Sequence, residues 1–337
     1  MPQTIKTHLD FKGALISSIA YREMQQRATE NPEGFWAEQA AEKITWIKPW
    51  QQVLTGDFLH HNVRWFVGGE LNVCVNCLDR HLPARADQAA IIWEGDDPTE
   101  SRVLTYQQLH EQVCRFANGL KSIGVSTGDR VCIYLPMIPE AAVAMLACAR
   151  IGAIHSVVFA GFSPESLKNR IQDATCSVVV TADSNRRGGK TKPLKAHVDE
   201  IVDDCSSVKK VVVVNYGHQP ITMHARDVWY HELIADKSVD CPAQPMEATE
   251  PLFILYTSGS TGKPKGILHG QGGYLLYATA TFQWVFNYQA GDIYWCSADV
   301  GWITGHSYLV YGPLASGATT LMFAGIPTYP TPSRFWQ

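Results

Sequence analysis

Between residues 103 and 214 the chain alternates short Val/Ile-rich runs with segments of helical period, and this alternation limits the fold more than any other feature. Residues 130–135, 156–159, 177–181 and 208–214 read as strands. Residues 106–123 read as a helix with Leu109, Val113, Phe116, Ala117 and Leu120 on one face, and Thr105 suits its N-cap. Pro139 opens a second helix, where a missing N–H is harmless, and Gly152 closes it. Ser163-Pro164-Glu165 starts a third helix, and residues 195–205 form a fourth. Strands separated by helices at this spacing form a parallel sheet covered on both faces. The near-continuous apolar strands agree, since such a sheet is buried on both sides. Ligands of an α/β fold bind outside the carboxyl ends of its strands.

Residues 1–85 are rich in aromatics and turns and read as a leader wrapping a larger body, residues 86–337, with one short helix near residues 31–43 and little sheet. Residues 215–250, with Pro220, Pro242 and Pro245, read as an irregular linker. A helix over 273–286 and strands over 292–296 and 318–323 follow. The formal net charge of −4 argues against a nucleic-acid partner, which needs a basic face. No apolar stretch approaches the ~20 residues of a membrane span, so no membrane partner is expected. The first ten residues lack the basic-then-apolar order of a secretory signal, which points to the cytoplasm. Nine cysteines, an odd number in a large chain, fit reduced thiols. Cys74-x-x-Cys77 has no second ligand pair, and His231-Glu232 lacks the second zincin histidine because Ala235 stands there. No metal site of the protein's own is expected.

Three loops carry the chemistry. The first is Tyr256-Thr257-Ser258-Gly259-Ser260-Thr261-Gly262-Lys263-Pro264-Lys265-Gly266, directly after the apolar run 251–255. Glycines let backbone N–H groups turn outward together, forming a cradle for anions, and Lys263 and Lys265 add charge. The spacing is not that of a Walker A loop, because Pro264 follows Lys263, nor of the G-x-G-x-x-G fingerprint. By composition it reads either as a solvated turn or as a polyphosphate cradle. The second is Ser297-Ala-Asp-Val-Gly-Trp302-Ile303-Thr304-Gly-His-Ser-Tyr308, after a strand. The third is Asp183-Ser-Asn-Arg-Arg187-Gly188-Gly189-Lys190-Thr-Lys192, a cationic loop also past a strand.

In residue order these loops resemble those of the adenylate-forming enzymes (acyl-CoA synthetases, luciferases and peptide-synthetase adenylation domains). The branch they resemble is the AMP-forming acetyl-CoA synthetases. Residues 76–81, 91–97, 134–156 and 159–165 narrow the likeness to that branch, and it runs from about Asn31 to Gln337. The resemblance implies the parallel sheets and flanking helices of that family's large N-terminal domain, incomplete at the C-terminus. It implies acetate, ATP with Mg²⁺ and coenzyme A as small-molecule substrates and cofactors, joined through acetyl-adenylate. Thr257, Ser258, Gly259, Ser260, Thr261, Gly262, Lys263 and Lys265 would hold ATP phosphates. Arg187, Gly188, Gly189, Lys190, Thr304 and Thr328 would contact coenzyme A. Trp302, Ile303 and Thr304 would border the acyl group.

Members of that family run well past this length and carry a Tyr-x-Thr-Gly-Asp aspartate motif and a catalytic lysine in the remainder. By the resemblance both fall beyond Gln337, and neither is found in the 337 residues, so no residue of the chain is assigned a catalytic role. The chain reads as an N-terminal portion expected to be inactive alone. A propionate or other short-chain acyl-CoA synthetase, and a non-catalytic nucleotide- or CoA-binding module, are the competing readings.

Overall fold

The computed structural model describes residues 13–257 and 264–337. Its core is a seven-stranded sheet in the spatial order Asp227–Trp229, Lys210–Val214, Val178–Ala182, Arg130–Tyr134, Ile154–Val157, Pro251–Thr257, Lys265–Gly270. The first six are parallel and only Lys265–Gly270 is antiparallel. The chain starts near the middle, at Arg130–Tyr134, steps to one side, then crosses to the other. That order puts loops at the carboxyl edge of neighbouring strands close together.

The helices form where expected, for local reasons. The helix Tyr106–Ser122 begins with a reciprocal capping box: the Gln108 N–H donates to Thr105 Oγ1 (3.2 Å), and the Thr105 N–H donates to Gln108 Oε1 (3.0 Å). Leu109, Val113, Phe116, Ala117 and Leu120 are all buried. The helix Pro139–Ile151 is buried on every side and ends on Gly152 at φ 71°, the left-handed region that favours glycine. Its cysteine, like the other eight, is a buried free thiol.

Two readings need correction. Residues 215–250 are not merely a linker: Asp227–Trp229 is an edge strand of the main sheet and Tyr230–Ile234 a short helix against it. Lys195–Cys205 is not one helix; it is helical over Leu194–Ile201 and tightens into a 3₁₀ turn at Val202–Asp204. Ile293–Trp295 and Thr319–Phe323 build a second, four-stranded sheet with Ala89–Glu94 and Ser101–Thr105, its last pair antiparallel.

The early residues contain the expected helix, Pro32–Lys43, preceded by another, Ser18–Glu30. Trp46, Trp50 and Phe66 pack with ring centroids 4.9–5.5 Å apart. Polar groups lock this layer to the body. The Asn72 side-chain amide donates to the carbonyls of Ala149 (2.9 Å) and Gln244 (2.8 Å). The buried Arg150 guanidinium grips Asp79 through two bonds of 2.8 and 2.9 Å and also donates to the Cys241 carbonyl (2.5 Å). Among the described residues no helix is long and apolar enough to cross a membrane.

His110 completes this node, with Nε2 3.4 Å from Asp79 Oδ1. Burial alone would raise the Asp79 carboxyl, yet the bonds from His110 and Arg150 hold it well below the usual range. His110 is raised to about 9, first by its bond to Asp79 and then by Cys114. A raised histidine stabilises the fold fully below its unfolded value of about 6.5, and the contribution fades as pH rises to about 9. The wild-type chain is therefore expected to lose urea resistance between those limits, and His110→Gln to flatten that slope. Parallel urea midpoints for the two proteins across the window would contradict the assignment.

Candidate functional site

The first loop joins two paired strands. Pro251–Thr257 lies beside Ile154–Val157 through Phe253 and His155, and turns back into Lys265–Gly270 with Thr257 opposite Lys265. Ser258, Gly259, Ser260, Thr261, Gly262 and Lys263 lie outside the described residues. The sequence reading placed no strand after this loop, because Lys265–Gly270 is an exposed edge without an apolar face. The neck of the hairpin is pinned by Tyr256, whose hydroxyl donates to Asp173 Oδ2 at 2.6 Å. The Arg170 guanidinium lies 5.3 Å from the Tyr256 ring centroid and 4.7 Å from that of Phe162. Lys265 is exposed at the start of the returning strand.

The second loop leaves the small sheet after Ile293–Trp295 and reaches toward the large one. Trp302, half exposed, packs on Phe159 and Phe162 with centroids 6.2 and 6.1 Å away. Ile303 and Thr304 begin a helical turn that widens into a π-helix at His306–Tyr311, a form of helix frequent at functional sites. Both line a cavity of about 800 Å³ with Arg64, Trp65, Leu268 and His269. Trp302 is turned instead to the phenylalanines, so the three proposed acyl-facing residues do not share one surface. Beneath them His306 and His155 are fully buried. Burial pushes His306 down to about 3 and holds His155 well below its ordinary value, so both rings are neutral packing groups near pH 7.

The third loop is a β-hairpin. Asn185–Arg187 and Lys190–Lys192 pair antiparallel, with Arg187 opposite Lys190, around a two-residue turn. Gly188 (φ 63°) and Gly189 (φ 70°) both need the left-handed region, as such a tight turn requires. Their N–H groups do not face an open cradle. They donate to Asp96 Oδ1 (2.6 Å) and Oδ2 (2.8 Å), a carboxylate that is itself buried. Arg186 makes a bidentate pair with Glu100 at 2.9 and 2.6 Å. The turn 325–330 lies directly against the glycines: a Cβ on Gly188 would come within 2.7 Å of Ile326, and one on Gly189 within 2.5 Å of Tyr329. Thr328 sits exposed in that turn, beside the hairpin.

The second and third loops meet at Phe159. Arg187 lies 5.7 Å from its ring centroid and 3.7 Å from Asp299 Oδ2, three residues before Trp302. Burial raises the Asp299 carboxyl, opposed by the Gly301 N–H and by Arg187. A line of rings and guanidiniums (Arg187, Phe159, Trp302, Phe162, Arg170, Tyr256) thus ties the third loop to the neck of the first. Sequence reading missed Asp96, Asp299 and Arg170, which lie far along the chain from what they hold; only their place in the motif-bearing stretches 91–97 and 297–308, or just past 159–165, could have marked them. Gln337, the position past which the resemblance puts the family's lysine, is itself no part of the site. It is an exposed glutamine following the 3₁₀ turn Arg334–Trp336, from which the buried Arg334 donates to the Gly95 carbonyl and Phe335 packs on Trp295 and Phe323 of the small sheet. A separate cluster, Asp199, His224 and Asp227, has a metal-like arrangement. The buried Lys195 ammonium already serves it, 2.5 Å from Asp199 and 2.8 Å from Asp227.

Residues 78–337 match the family model for AMP-binding enzymes, and residues 21–77 match that for the acetyl-coenzyme A synthetase N-terminus. An acetyl-coenzyme A synthetase of Alkalilimnicola ehrlichii is 59% identical over 96% of the chain and 50% of its own length. Acetyl-coenzyme A synthetase 2 of Pseudomonas aeruginosa is 59% identical over the same shares. The acetyl-coenzyme A synthetase of Halorhodospira halophila is 56% identical over 100% of the chain and 52% of its own length. The chain thus spans about half the length of the curated relatives it matches.

Gly305 offers a test of the second loop. A Cβ there would drive into the Asp299 carbonyl oxygen, which is backbone and cannot swing aside. Gly305→Ala is expected to destabilise the chain by about 1–3 kcal/mol and to shift Trp302 off its phenylalanines. Near-ultraviolet circular dichroism and a thermal melt check this; an unchanged spectrum and melting point would contradict the packing described.

Proposed function

Because the chain belongs to the AMP-binding enzyme family, we propose that it forms the phosphate-, acyl- and coenzyme-A-facing portion of an AMP-forming acetate–CoA ligase. The observation that carries this reading is the meeting of Arg187, Asp299 and Trp302 around Phe159, next to the strand that leads into the hydroxyl- and glycine-rich loop. Cations for phosphates, an aromatic wall and a phosphate loop at one edge of the sheets suit the joining of a small carboxylate to a nucleotide.

In this reading an acetate oxygen attacks the α-phosphorus of MgATP and pyrophosphate leaves. The coenzyme A thiol then attacks the acetyl carbon and AMP leaves. Both partners of the first step are anions, so positioning and fixed positive charge lower its barrier. Residues Thr257 to Lys265 grip the departing phosphates, with Tyr256 and Arg170 fixing the neck of their hairpin. Trp302 limits acyl length by overlap, since its rings rest on Phe159 and Phe162 and have little room to retreat. Arg187 and Lys190, with Thr328 alongside, face the nucleotide end of coenzyme A. Residues 1–85 serve as a leader bracing the AMP-binding body of residues 86–337. The nine buried free thiols suit a reducing cytoplasm.

Joining the chain to the C-terminal half of the Alkalilimnicola ehrlichii relative gives a protein of that relative's length. The joined protein is expected to catalyse acetate-dependent exchange of pyrophosphate into ATP, and to favour acetate over propionate by about 10–100-fold in kcat/KM. Preference for propionate would overturn the acyl assignment. Absence of exchange with any short carboxylate, in a soluble and folded joined protein, would overturn the ligase reading.

A further inference from the structure

The Asp96 carboxylate occupies the place an anion would take in the Gly188-Gly189 turn. Two successive N–H groups in a left-handed turn make a small anion-binding concavity, and here both donate to one buried side chain of the protein's own, at 2.6 and 2.8 Å. The glycine amides are therefore spent inward. Beside the turn, Arg187, which lies 3.7 Å from Asp299 Oδ2 but stays partly exposed, and the exposed Lys190 are left to meet a ligand. Because these two are cross-strand partners, their side chains rise on one face of the hairpin, about 5 Å apart at Cβ. Such a pair spans one phosphate monoester.

Asp96 reaches this point from the other sheet. It lies past Ala89–Glu94, in a loop closed by the Gly95 N–H donating to the Glu100 carbonyl at 2.8 Å. The same loop holds Arg186 through Glu100, and its Gly95 carbonyl accepts from the buried Arg334 at 3.1 Å. Ile326 and Tyr329 close on the glycines. The turn is thus fixed by a carboxylate on one side and by apolar contacts along it, with its cations outward.

We propose that Asp96 is a positioning residue for phosphate recognition: by holding both turn amides it fixes the spacing of Arg187 and Lys190, and so lets the hairpin read the terminal 3′-phosphate of coenzyme A. Asp96 does not touch the ligand. The inference rests on the coenzyme A assignment above and adds what orders the phosphate reader.

The test is titration calorimetry of the chain with coenzyme A and with dephospho-coenzyme A, which lacks only that phosphate. The unsubstituted chain is expected to bind coenzyme A about tenfold more tightly, as charge-assisted bonds to a phosphate allow. Asp96→Ala is expected to erase most of that preference while leaving dephospho-coenzyme A binding unchanged. Asp96→Asn, which keeps one acceptor for the two amides, falls between. Lys190→Gln is exposed and disturbs no packing; it is expected to lose the same preference, and adding Asp96→Ala to it to remove little more. Equal weakening of both ligands by Asp96→Ala would reduce Asp96 to a general structural role and overturn the inference. So would full preference in Asp96→Asn together with Asp96→Ala. If the unsubstituted chain binds neither ligand, the coenzyme A assignment itself falls and takes the inference with it. If it binds both alike, the assignment stands and the 3′-phosphate inference alone fails.

Discussion

Arg150 is a guanidinium with almost no exposure, near the end of the most deeply buried helix of the fold, and such a charge is tolerable only when fully partnered. Asp79 supplies the opposite charge, and the Cys241 carbonyl accepts a further donor. Removing one member of a buried pair costs about 3–5 kcal/mol. An exposed pair such as Arg27–Glu38 contributes about 0–1. The comparison decides which ion pair organises the molecule. Through Asp79, Arg150 binds the early residues to the central sheet. Asn72 extends the same seam to the end of the helix Pro139–Ile151, and Asn76 ties Thr45 down within the early residues.

With that seam closed, the two sheets face each other at their carboxyl edges, and the polar loops between them have to satisfy one another. They do so with carboxylates from the small-sheet side and guanidiniums or amides from the large-sheet side: Glu100 with Arg186, Asp96 with the glycine turn, Asp299 with Arg187. Rings fill the gaps between the cations. The result is a surface whose positive groups are aimed before any ligand arrives, which reduces the ordering needed on binding.

Much of this was legible in the sequence. The helices Tyr106–Ser122 and Pro139–Ile151 have a cap, a strong face or a closing glycine, and local chemistry of that kind survives tertiary context. The parallel strands announced themselves as valine runs. The edge strands did not. Asp227–Trp229 is three residues long, and Lys265–Gly270 carries lysine, glycine and histidine with no apolar alternation. Assignment to two sheets was also hidden, because Thr319–Phe323 pairs with Ala89–Glu94 across more than two hundred residues. The three motif loops were visible as motifs, yet what aims them was not. Asp96 is 92 residues from Gly188, and one sequence does not disclose a contact of that range.

Phosphate recognition by the glycine hairpin depends on its being ordered from behind by Asp96. A crystal structure of the chain grown with coenzyme A tests it most directly. The nucleotide's terminal phosphate is expected between Arg187 and Lys190, with the Gly188 and Gly189 amides still donating to Asp96 as they do now. A phosphate seated on those two amides with Asp96 displaced, or a nucleotide bound elsewhere with the hairpin empty, would contradict it.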